Sequence, residues 1–403
     1  MPSGKSKILQ KNANDVVICS AVRTPITRAR KGGLKDTLPE DLLVAVFKAT
    51  LERSKVDPSL IDDIAVGNVL PPGGGANVAR MAQLRAGIPH TASLNTVNRQ
   101  CSSSLQAITQ IANSIACGQI SIGIGAGVES MTTHYGAGVL PEKISEDVLS
   151  NQEAQDVLIP MGITSENVAK EFGVTRKEQD EFAAKSYQKA FAARKAGHFK
   201  EEIVPVKTEI VDPKSGETKT VLVDEDDGIR DGMTAESLAK LKPAFSKEGS
   251  THAGNASQVS DGAAAVLLVR RDMAEKLKLP ILGKFVTTGY AGVPPKVMGI
   301  GPAVAIPKAL ANAGIESSDV DFWEINEAFA SQAVYSVKKL GLDFEKVNPG
   351  GGAIALGHPL GATGARQVAT ALAHAKRSGE KVFVTSMCIG SGMGLASVFV
   401  NEQ

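Results

Sequence analysis

The chain has 403 residues, of which 43% are hydrophobic and 22% charged, a balance typical of a globular protein with a large core. Its 44 Lys and Arg residues against 43 Asp and Glu residues leave a formal net charge of +1, which argues against nucleic acid as a partner. Since no apolar run reaches the length of a membrane-spanning helix, we also expect no membrane insertion.

The first predicted elements form a strand–helix–strand unit behind a polar segment. Residues 1–14 are polar and basic, and we expect them to form a flexible tail. A strand is predicted from Asp15, and a helix from Pro39 to Arg53, where apolar residues recur at helical spacing. The segment 57–63 reads as a turn, and it leads into a second strand at 64–67.

The same order of elements returns near the C-terminus. A strand is predicted at 281–285, a helix at 303–313 and a further strand at 322–325. Asn68 and Asn326 directly follow the equivalent strands of the two units, 258 positions apart. This spacing indicates that one unit has been duplicated.

The second part of each unit repeats as well. A helix predicted over about 102–116 and another over about 361–374 are each followed by a strand. Cys101 and His358 lie on the loops before these helices, 257 positions apart. Both side chains therefore occupy equivalent positions in two similar β-α-β halves.

The segment between the halves differs from both. It contains a predicted helix that begins with a capping box at Thr175 and Glu178 and ends at Gly197, and then a β-rich stretch over 203–223. We expect it to be an inserted cap, a usual place for substrate selection. The predicted domains are an N-terminal half at 15–130 and 251–275, an inserted loop domain at 131–250, and a C-terminal half at 276–403.

The cysteines favour a reactive thiol over a metal site or a disulfide framework. Cys19, Cys101, Cys117 and Cys388 have no CxxC spacing, which argues against zinc and iron–sulfur clusters. Cys101 stands at the start of a predicted helix, where the helix dipole lowers a thiol pKa and favours a nucleophilic thiolate. The alternative is a small buried hydrophobic residue, the common use of a free cysteine.

Three other candidates lie in turn-rich segments. Cys388 precedes a glycine-rich stretch, which is either an anion-binding set of backbone N–H groups or a tight turn between strands. His358 could act as base, hydrogen-bond donor or orienter, or simply be a satisfied loop histidine. Asn326 could hold a water or polarise a carbonyl group, or it could cap a helix.

A basic cluster is either a solvated face or a phosphate contact, and it comprises Arg23, Arg28, Arg30 and Lys31.

Four segments together resemble the signature segments of the thiolase family, in the family's order. They are Asn98-Arg-Gln-Cys-Ser-Ser, Asn326-Glu-Ala-Phe-Ala, Gly351-Gly-Ala-Ile-Ala-Leu-Gly-His-Pro and Cys388-Ile-Gly-Ser-Gly-Met-Gly. The likeness extends from Asp15 to Phe399, and its style is similar to that of the peroxisomal-type 3-ketoacyl-CoA thiolases. The motif of nucleotide P-loops is absent, so phosphate binding of that kind is not expected.

The resemblance implies an α/β thiolase fold, with two similar βαβαβαββ halves in a five-layered α-β-α-β-α arrangement and an inserted loop domain. It implies thiolytic cleavage of 3-oxoacyl-CoA by coenzyme A, to acetyl-CoA and a shortened acyl-CoA, in fatty acid β-oxidation. Coenzyme A would be a co-substrate, and no cofactor would be bound permanently. A homodimer is the expected assembly, with a tetramer as the alternative. The peroxisome is the expected compartment and the cytoplasm the alternative, since no targeting signal is recognised in the chain.

The resemblance also implies roles for individual residues. Cys101 would be the nucleophile, activated by His358, which would line an oxyanion hole with a water held by Asn326. Cys388 would act as acid and base. The backbone N–H groups of Cys101 and Gly390 would form a second oxyanion hole. The tunnel for coenzyme A and its pantetheine arm would be lined by Met161, Arg230, Ser237 and Ser257.

Single residues distinguish this chain from enzymes with related activities. Pro160 before Met161 favours the degradative type over the biosynthetic acetyl-CoA acetyltransferases, in which His usually precedes Met. The motif at Cys388 argues against ketosynthases, which pair their cysteine with two histidines. A catalytically silent acyl-CoA-binding protein is the alternative from a different class. Ser104, where the family usually has Gly or Ala, raises a question about substrate fit.

Overall fold

Helices and strands alternate along the chain in a computed structural model that describes residues 4–136, 143–212 and 214–403. Residues 1–3 of the expected tail, and 137–142 and 213 of the expected loop domain, lie outside the described residues. The strands are β1 Val16–Arg23, β2 Thr27–Arg28, β3 Asp63–Gly67, β4 Ser93–Val97, β5 Ile122–Ser130, β6 Val206–Val211, β7 Thr218–Val223, β8 Ser260–Arg270, β9 Gly283–Gly292, β10 Phe322–Ile325, β11 Val382–Ile389 and β12 Met393–Asn401.

The helices vary from a single turn to 20 residues. They are α1 Gly4–Leu9, α2 Pro39–Ser54, α3 Ala76–Arg85, α4 Ser103–Ala116, α5 Met131–His134, α6 Glu146–Leu149, α7 Gln152–Asp156, α8 Met161–Glu171, α9 Arg176–Lys195, α10 Ala235–Ala239, α11 Arg271–Lys276, α12 Gly301–Ala313, α13 Ala330–Leu340, α14 Ala353–Leu356 and α15 Thr363–Ser378. Within the described ranges, none of them combines the length and apolarity that crossing a membrane requires.

The large sheet is mixed and shows the expected repeat. Its strands follow the order β10-β11-β12-β9-β1-β8-β5-β3-β4, and β2 pairs with β8. In the first half β3 is parallel to β5, which is antiparallel to β8. In the second half β10 is parallel to β11, which is antiparallel to β12. The halves join where β1 pairs antiparallel with β9 over Val16–Ile18 and Gly283–Phe285.

One strand of the repeat is much reduced in the second half. In the first half β4 pairs in parallel with β3 over five residues. At the corresponding place in the second half, Trp323 of β10 forms only an isolated parallel bridge with Val347. The second half therefore ends in a single bridge where the first half presents a full strand.

Two long helices form the centre of the molecule. Ile108 and Ile111 of α4 share one buried cluster with Val368 and Leu372 of α15, together with strand residues from both halves. Helices α2 and α3 cover the outer face of the first half, and α12 with α13 covers that of the second half. Helices and strands thus alternate in five layers, and the predicted fold is confirmed.

From Gly4 onward the N-terminal segment packs against the rest of the chain, contrary to the expectation of a flexible tail. Gly4–Leu9 form a helix, and its Ile8 is buried against the cluster that contains Ile306 and Leu310 of α12. Lys5 Nζ lies 2.9 Å from a carboxylate oxygen of Asp321. Burial of one apolar side chain and an ion pair attach the helix to the C-terminal half. The polar composition of the segment gave no sign of this attachment.

The basic cluster is neither a solvated face nor a phosphate contact at Arg23. This side chain is fully buried, with Nε 2.6 Å from Glu202 and Nη1 and Nη2 2.7 and 2.8 Å from the two carboxylate oxygens of Asp226. Arg28 is exposed and lies 3.4 Å from Asp227. Arg23 therefore attaches the loop domain to β1 of the core.

Candidate active site

Two candidate residues lie at the same edge of the sheet because their strands are parallel neighbours. Asn326 directly follows β10, and Cys388 lies near the end of β11. These strands are in parallel register, with Ile325 opposite Ser386, and the Asn326 backbone N–H donates to the Ser386 carbonyl at 2.9 Å. Because the carboxyl ends of parallel strands lie at one edge of a sheet, both side chains are brought to the same place.

A tight turn presents Cys101 at the start of α4. Gln100 adopts a φ of 48°, uncommon for a residue other than glycine. Asn98 Oδ1 accepts from the Gln100 N–H at 2.9 Å. Ser103 Oγ accepts from the Arg99 N–H at 2.9 Å and donates to the Gln100 carbonyl at 2.6 Å. These side-chain bonds hold the turn in its strained conformation.

The Cys101 thiol is a protonated group in its resting environment. Burial raises its pKa to about 11, although its own backbone N–H and that of Gly390 face the sulfur and act in the opposite direction; Glu129 adds to the rise. The sequence-based expectation of a lowered pKa is therefore wrong, since the loss of hydration outweighs the helix terminus. The thiol consequently needs a base.

Cys388 lies beside Cys101 and is still more deeply buried. Its thiol donates to Gln332 Oε1 with a sulfur–oxygen distance of 3.2 Å. Burial raises the pKa of the Cys388 thiol, and negative charge at Cys101 raises it further. Gln332, at the third position of α13, was missed by sequence reasoning, because no motif or periodicity distinguishes it from other helix residues.

His358 is held by its backbone and by both ring nitrogens. Gly357 before it has a φ of 103°, and a Cβ there would come within 2.3 Å of Ser260 Oγ. The imidazole Nδ1 lies 2.7 Å from Thr363 Oγ1, and Nε2 lies 3.3 Å from Asn326 Nδ2. Burial chiefly, together with the Arg366 charge, lowers the pKa of His358 to about 3, so the ring is neutral at physiological pH.

Asn326 does not cap the helix that follows it. Helix α13 begins at Ala330 with Phe329 as its N-cap residue, so the capping alternative is wrong. The Asn326 amide instead lies against His358, and its Oδ1 is buried with no hydrogen-bond partner among the described residues. An unpartnered buried carbonyl oxygen is a suitable site for a water or a reacting group.

The predicted coenzyme A contacts divide into two groups. Met161 begins α8, and its Sδ lies 3.6 Å from the position that a Cβ on Gly390 would occupy. Ser257 donates its backbone N–H to the Ala328 carbonyl, in the segment of Asn326. By contrast, Ser237 Oγ donates to the Thr234 carbonyl within the capping box of α10, and Arg230 is exposed on the loop domain.

Ser104 serves the contact between the two central helices. Its Oγ accepts from the Ala365 N–H at 2.9 Å in the first turn of α15, and the side chain is fully buried. A Cβ on Gly127 would lie 2.6 Å from the Ser104 Cβ. The hydroxyl that raised a question about substrate fit therefore satisfies a backbone donor at a helix terminus.

Comparison with known families decides the relationship. The thiolase N-terminal domain matches residues 16–272, and the thiolase C-terminal domain matches residues 279–401. The chain belongs to the thiolase family. It is 58% identical to the peroxisomal 3-ketoacyl-CoA thiolase of Yarrowia lipolytica, over 99% of this chain and 96% of that protein. The identity to the human peroxisomal 3-ketoacyl-CoA thiolase is 56%, over 97% and 92% of the two chains.

Solved thiolase structures share the fold over nearly the whole chain. The dimeric peroxisomal thiolase of Saccharomyces cerevisiae has a TM-score of 0.91 and 49% identity, and the match covers 98% of this thiolase and 100% of that chain. The acetyl-CoA acetyltransferase of Bacillus anthracis has a TM-score of 0.86 and 38% identity, over 96% and 99% of the two chains. As a thiolase, the protein is an acyltransferase.

Proposed function

We propose that this thiolase cleaves 3-ketoacyl-CoA with coenzyme A, giving acetyl-CoA and an acyl-CoA shortened by two carbons. The observation that carries the proposal is that two buried thiols, Cys101 and Cys388, lie together with the Gly390 N–H at Cys101, and that a neutral His358 contacts Asn326. Transfer between thioesters is nearly balanced in energy, so a cysteine nucleophile suits a reversible reaction. Coenzyme A enters as co-substrate, and no permanently bound cofactor takes part in the proposal.

In the first half-reaction the Cys101 thiol gives its proton to His358, and the thiolate attacks the 3-keto carbon. The resulting alkoxide is held by the protonated His358 ring and by a water on Asn326. When the bond between C2 and C3 breaks, the alkoxide becomes the carbonyl of an acyl-Cys101 thioester. The N–H groups of Cys101 and Gly390 stabilise the enolate of acetyl-CoA, which takes the proton of the Cys388 thiol.

In the second half-reaction acetyl-CoA has left and coenzyme A occupies its place. The Cys388 thiolate removes the proton of the incoming thiol, which attacks the acyl-Cys101 carbonyl carbon. Collapse of the tetrahedral intermediate releases the shortened acyl-CoA and the Cys101 thiolate, which takes back its proton from the protonated His358 ring. Met161 and Ser257, near this group, and Arg230 and Ser237 on the loop domain are proposed to line the path of coenzyme A.

The substrate and compartment follow the relatives. Proteins named peroxisomal 3-ketoacyl-CoA thiolase reach 58% identity, whereas the acetyl-CoA acetyltransferases from Bacillus anthracis and Syntrophomonas wolfei reach 38% and 36%. The names of these more similar relatives support the degradative reaction of β-oxidation and a peroxisomal location. They favour it over the biosynthetic alternative, which shares the catalytic chemistry.

The test compares thiolysis of acetoacetyl-CoA with that of 3-oxohexadecanoyl-CoA at equal coenzyme A. We expect both to be cleaved, with the long substrate the faster, and parallel lines in double-reciprocal plots, as a ping-pong reaction requires. Cleavage of acetoacetyl-CoA alone would assign the protein to the acetyl-CoA condensing branch. Cleavage of neither substrate would contradict the proposal.

The nucleophile is tested by Cys101→Ala. We expect thiolysis to fall by about a thousandfold or more, because covalent transfer is lost, while coenzyme A binding measured by calorimetry is retained. Cys117→Ala is the matched control, since Cys117 follows the same helix α4 and is exposed. An alanine variant at Cys101 that still turns over would overturn the assignment.

We further propose that the protein is a homodimer joined at the edge of the sheet formed by β4. That strand is the last in the sheet order and is partly exposed. Helix α3 beside it exposes three apolar side chains, Val78, Met81 and Leu84. The related yeast structure, described as dimeric, supports this assembly.

A further inference from the structure

We propose that Thr363 is a positioning residue that holds His358 in the tautomer with its proton on Nδ1. Its hydroxyl accepts a hydrogen bond from Nδ1 and so leaves Nε2, on the side of Asn326, as the unprotonated nitrogen. Of the proposed function, this inference uses only the assignment of Cys101 as the residue that His358 activates. Thr363 touches no reacting atom and acts through the imidazole alone.

The single hydrogen of the Thr363 hydroxyl decides the direction of its hydrogen bond with His358 Nδ1. A hydroxyl has one hydrogen to donate. Thr363 Oγ1 donates to the Pro359 carbonyl oxygen at 2.9 Å, the i−4 bond of a threonine at the start of a helix. With its hydrogen on that carbonyl, the same oxygen accepts from His358 Nδ1 at 2.7 Å, and in this arrangement Nδ1 carries the proton. Both side chains are buried, which gives neither group water as a substitute partner.

The opposite nitrogen agrees with this assignment but does not determine it. Asn326 Nδ2 lies 3.3 Å from Nε2 and donates to its lone pair. An amide can rotate by half a turn, and Asn326 Oδ1 would then accept from a protonated Nε2. That oxygen has no other partner among the described residues. The threonine therefore disfavours the inactive tautomer, in which Nε2 carries the proton.

The tautomer matters because Cys101 cannot ionise alone. Burial raises the pKa of Cys101 to about 11, so at neutral pH the thiol needs an unprotonated nitrogen in reach. A proton on Nε2 would remove that acceptor. In the assigned tautomer, Nε2 takes the thiol proton and then donates to the developing alkoxide, while Nδ1 keeps its bond to Thr363 throughout. The charged groups that act on the pair are Arg366, on His358, and Glu129, on Cys101.

Helix α15 also supplies a matched control. Thr370 lies two turns further along the same helix and is equally buried, and its hydroxyl donates to Glu202 Oε1 at 2.8 Å. Thr370→Val therefore removes a buried hydroxyl from α15 without altering a partner of His358. Thr363→Val makes the same change at the proposed position, and Thr363→Ser restores the acceptor there.

The experiment measures alkylation of Cys101 by iodoacetamide between pH 6 and 10, with no acyl-CoA present, by mass spectrometry of the Cys101 peptide. We expect Thr363→Val to slow alkylation at pH 7 by about a hundredfold, the scale of general-base assistance. Its rate should then rise with pH up to the highest values, as for an unassisted thiol. Thr363→Ser should keep at least a third of the wild-type rate, and Thr370→Val should keep the wild-type profile.

If Thr363→Val is alkylated like the wild type across the pH range, the proposal is overturned. Equal slowing of alkylation in Thr370→Val and Thr363→Val would overturn it as well. If Thr363→Val does not fold, Thr363→Ala is compared with Thr363→Ser. Thiolysis by the wild-type protein is measured separately. Its absence would contradict the proposed function, whereas the alkylation comparison tests Thr363 in either case.

Discussion

At the scale of single residues, His358 is neutral because it is buried. The buried imidazole has a pKa near 3, and the unfolded chain restores the ordinary value of about 6.5. Between these values the unfolded state binds a proton that the folded state does not. The free energy of unfolding therefore falls as the pH falls through this window.

This dependence should disappear in His358→Asn. Lowering the pH from 7.5 to 5 should cost the wild type about 2 kcal/mol more unfolding free energy than it costs the variant, the linkage expected for one such group. Urea denaturation at fixed protein concentration measures both. His90→Asn, at an exposed histidine, is the control and should follow the wild type. Parallel pH curves for wild type and His358→Asn would show that the histidine is not held neutral.

Sequence alone located the residues whose type and local setting are distinctive. Cys101 stands out as a cysteine at the start of a predicted helix, and His358 and Cys388 stand out because glycines, and a proline after His358, mark their turns. The sequence could not predict that the Cys101 pKa rises, because its sign depends on how much water the surrounding layers exclude. Thr363 and Gln332 were not found for a related reason: their partners, His358 and Cys388, become neighbours only in the folded chain.

At the scale of elements, periodicity predicted the helices better than the strands. The predicted helix from Pro39 to Arg53 is observed as Pro39–Ser54, and the capping box at Thr175 is confirmed. The strand predicted at 281–285 instead extends over Gly283–Gly292. Its polar and glycine-containing second part pairs with β12, so tertiary pairing rather than residue preference makes it a strand.

The attachment of the loop domain depends on one guanidinium group. Arg23 on β1 is fully buried between Glu202 and Asp226, with a paired contact to the latter. Arg23→Lys keeps the charge but cannot reproduce three directed bonds, and we expect the free energy of unfolding to fall by about 2 kcal/mol. Urea denaturation measures the loss. Arg28→Lys, at the exposed pair with Asp227, should change stability by less than about 0.5 kcal/mol. Equal effects of the two substitutions would refute this role for Arg23.

At the scale of the whole molecule, the site depends on contacts between the halves. Cys101 comes from the first half, whereas His358, Asn326 and Cys388 come from the second. The turn that presents Cys101 starts directly after β4, the strand at the sheet edge. An unpaired sheet edge with apolar neighbours is a natural interface, and a two-fold axis would place two such edges together. The proposed dimer would then support the nucleophile turns of both subunits.

Substitution of one exposed methionine tests this assembly. Met81 on α3 is 62% exposed in the single chain, so Met81→Glu should not disturb the fold of the protomer but would place a charge in the proposed interface. We expect the dimer dissociation constant to rise at least about tenfold, measured by sedimentation equilibrium, since desolvating one unpaired charge costs more than 1.4 kcal/mol. Leu222→Glu is the matched control, because Leu222 on β7 is 61% exposed and lies on the small hairpin. A wild-type mass of 42.0 kDa, that of one chain, or an equal shift in both variants, would contradict the β4 interface.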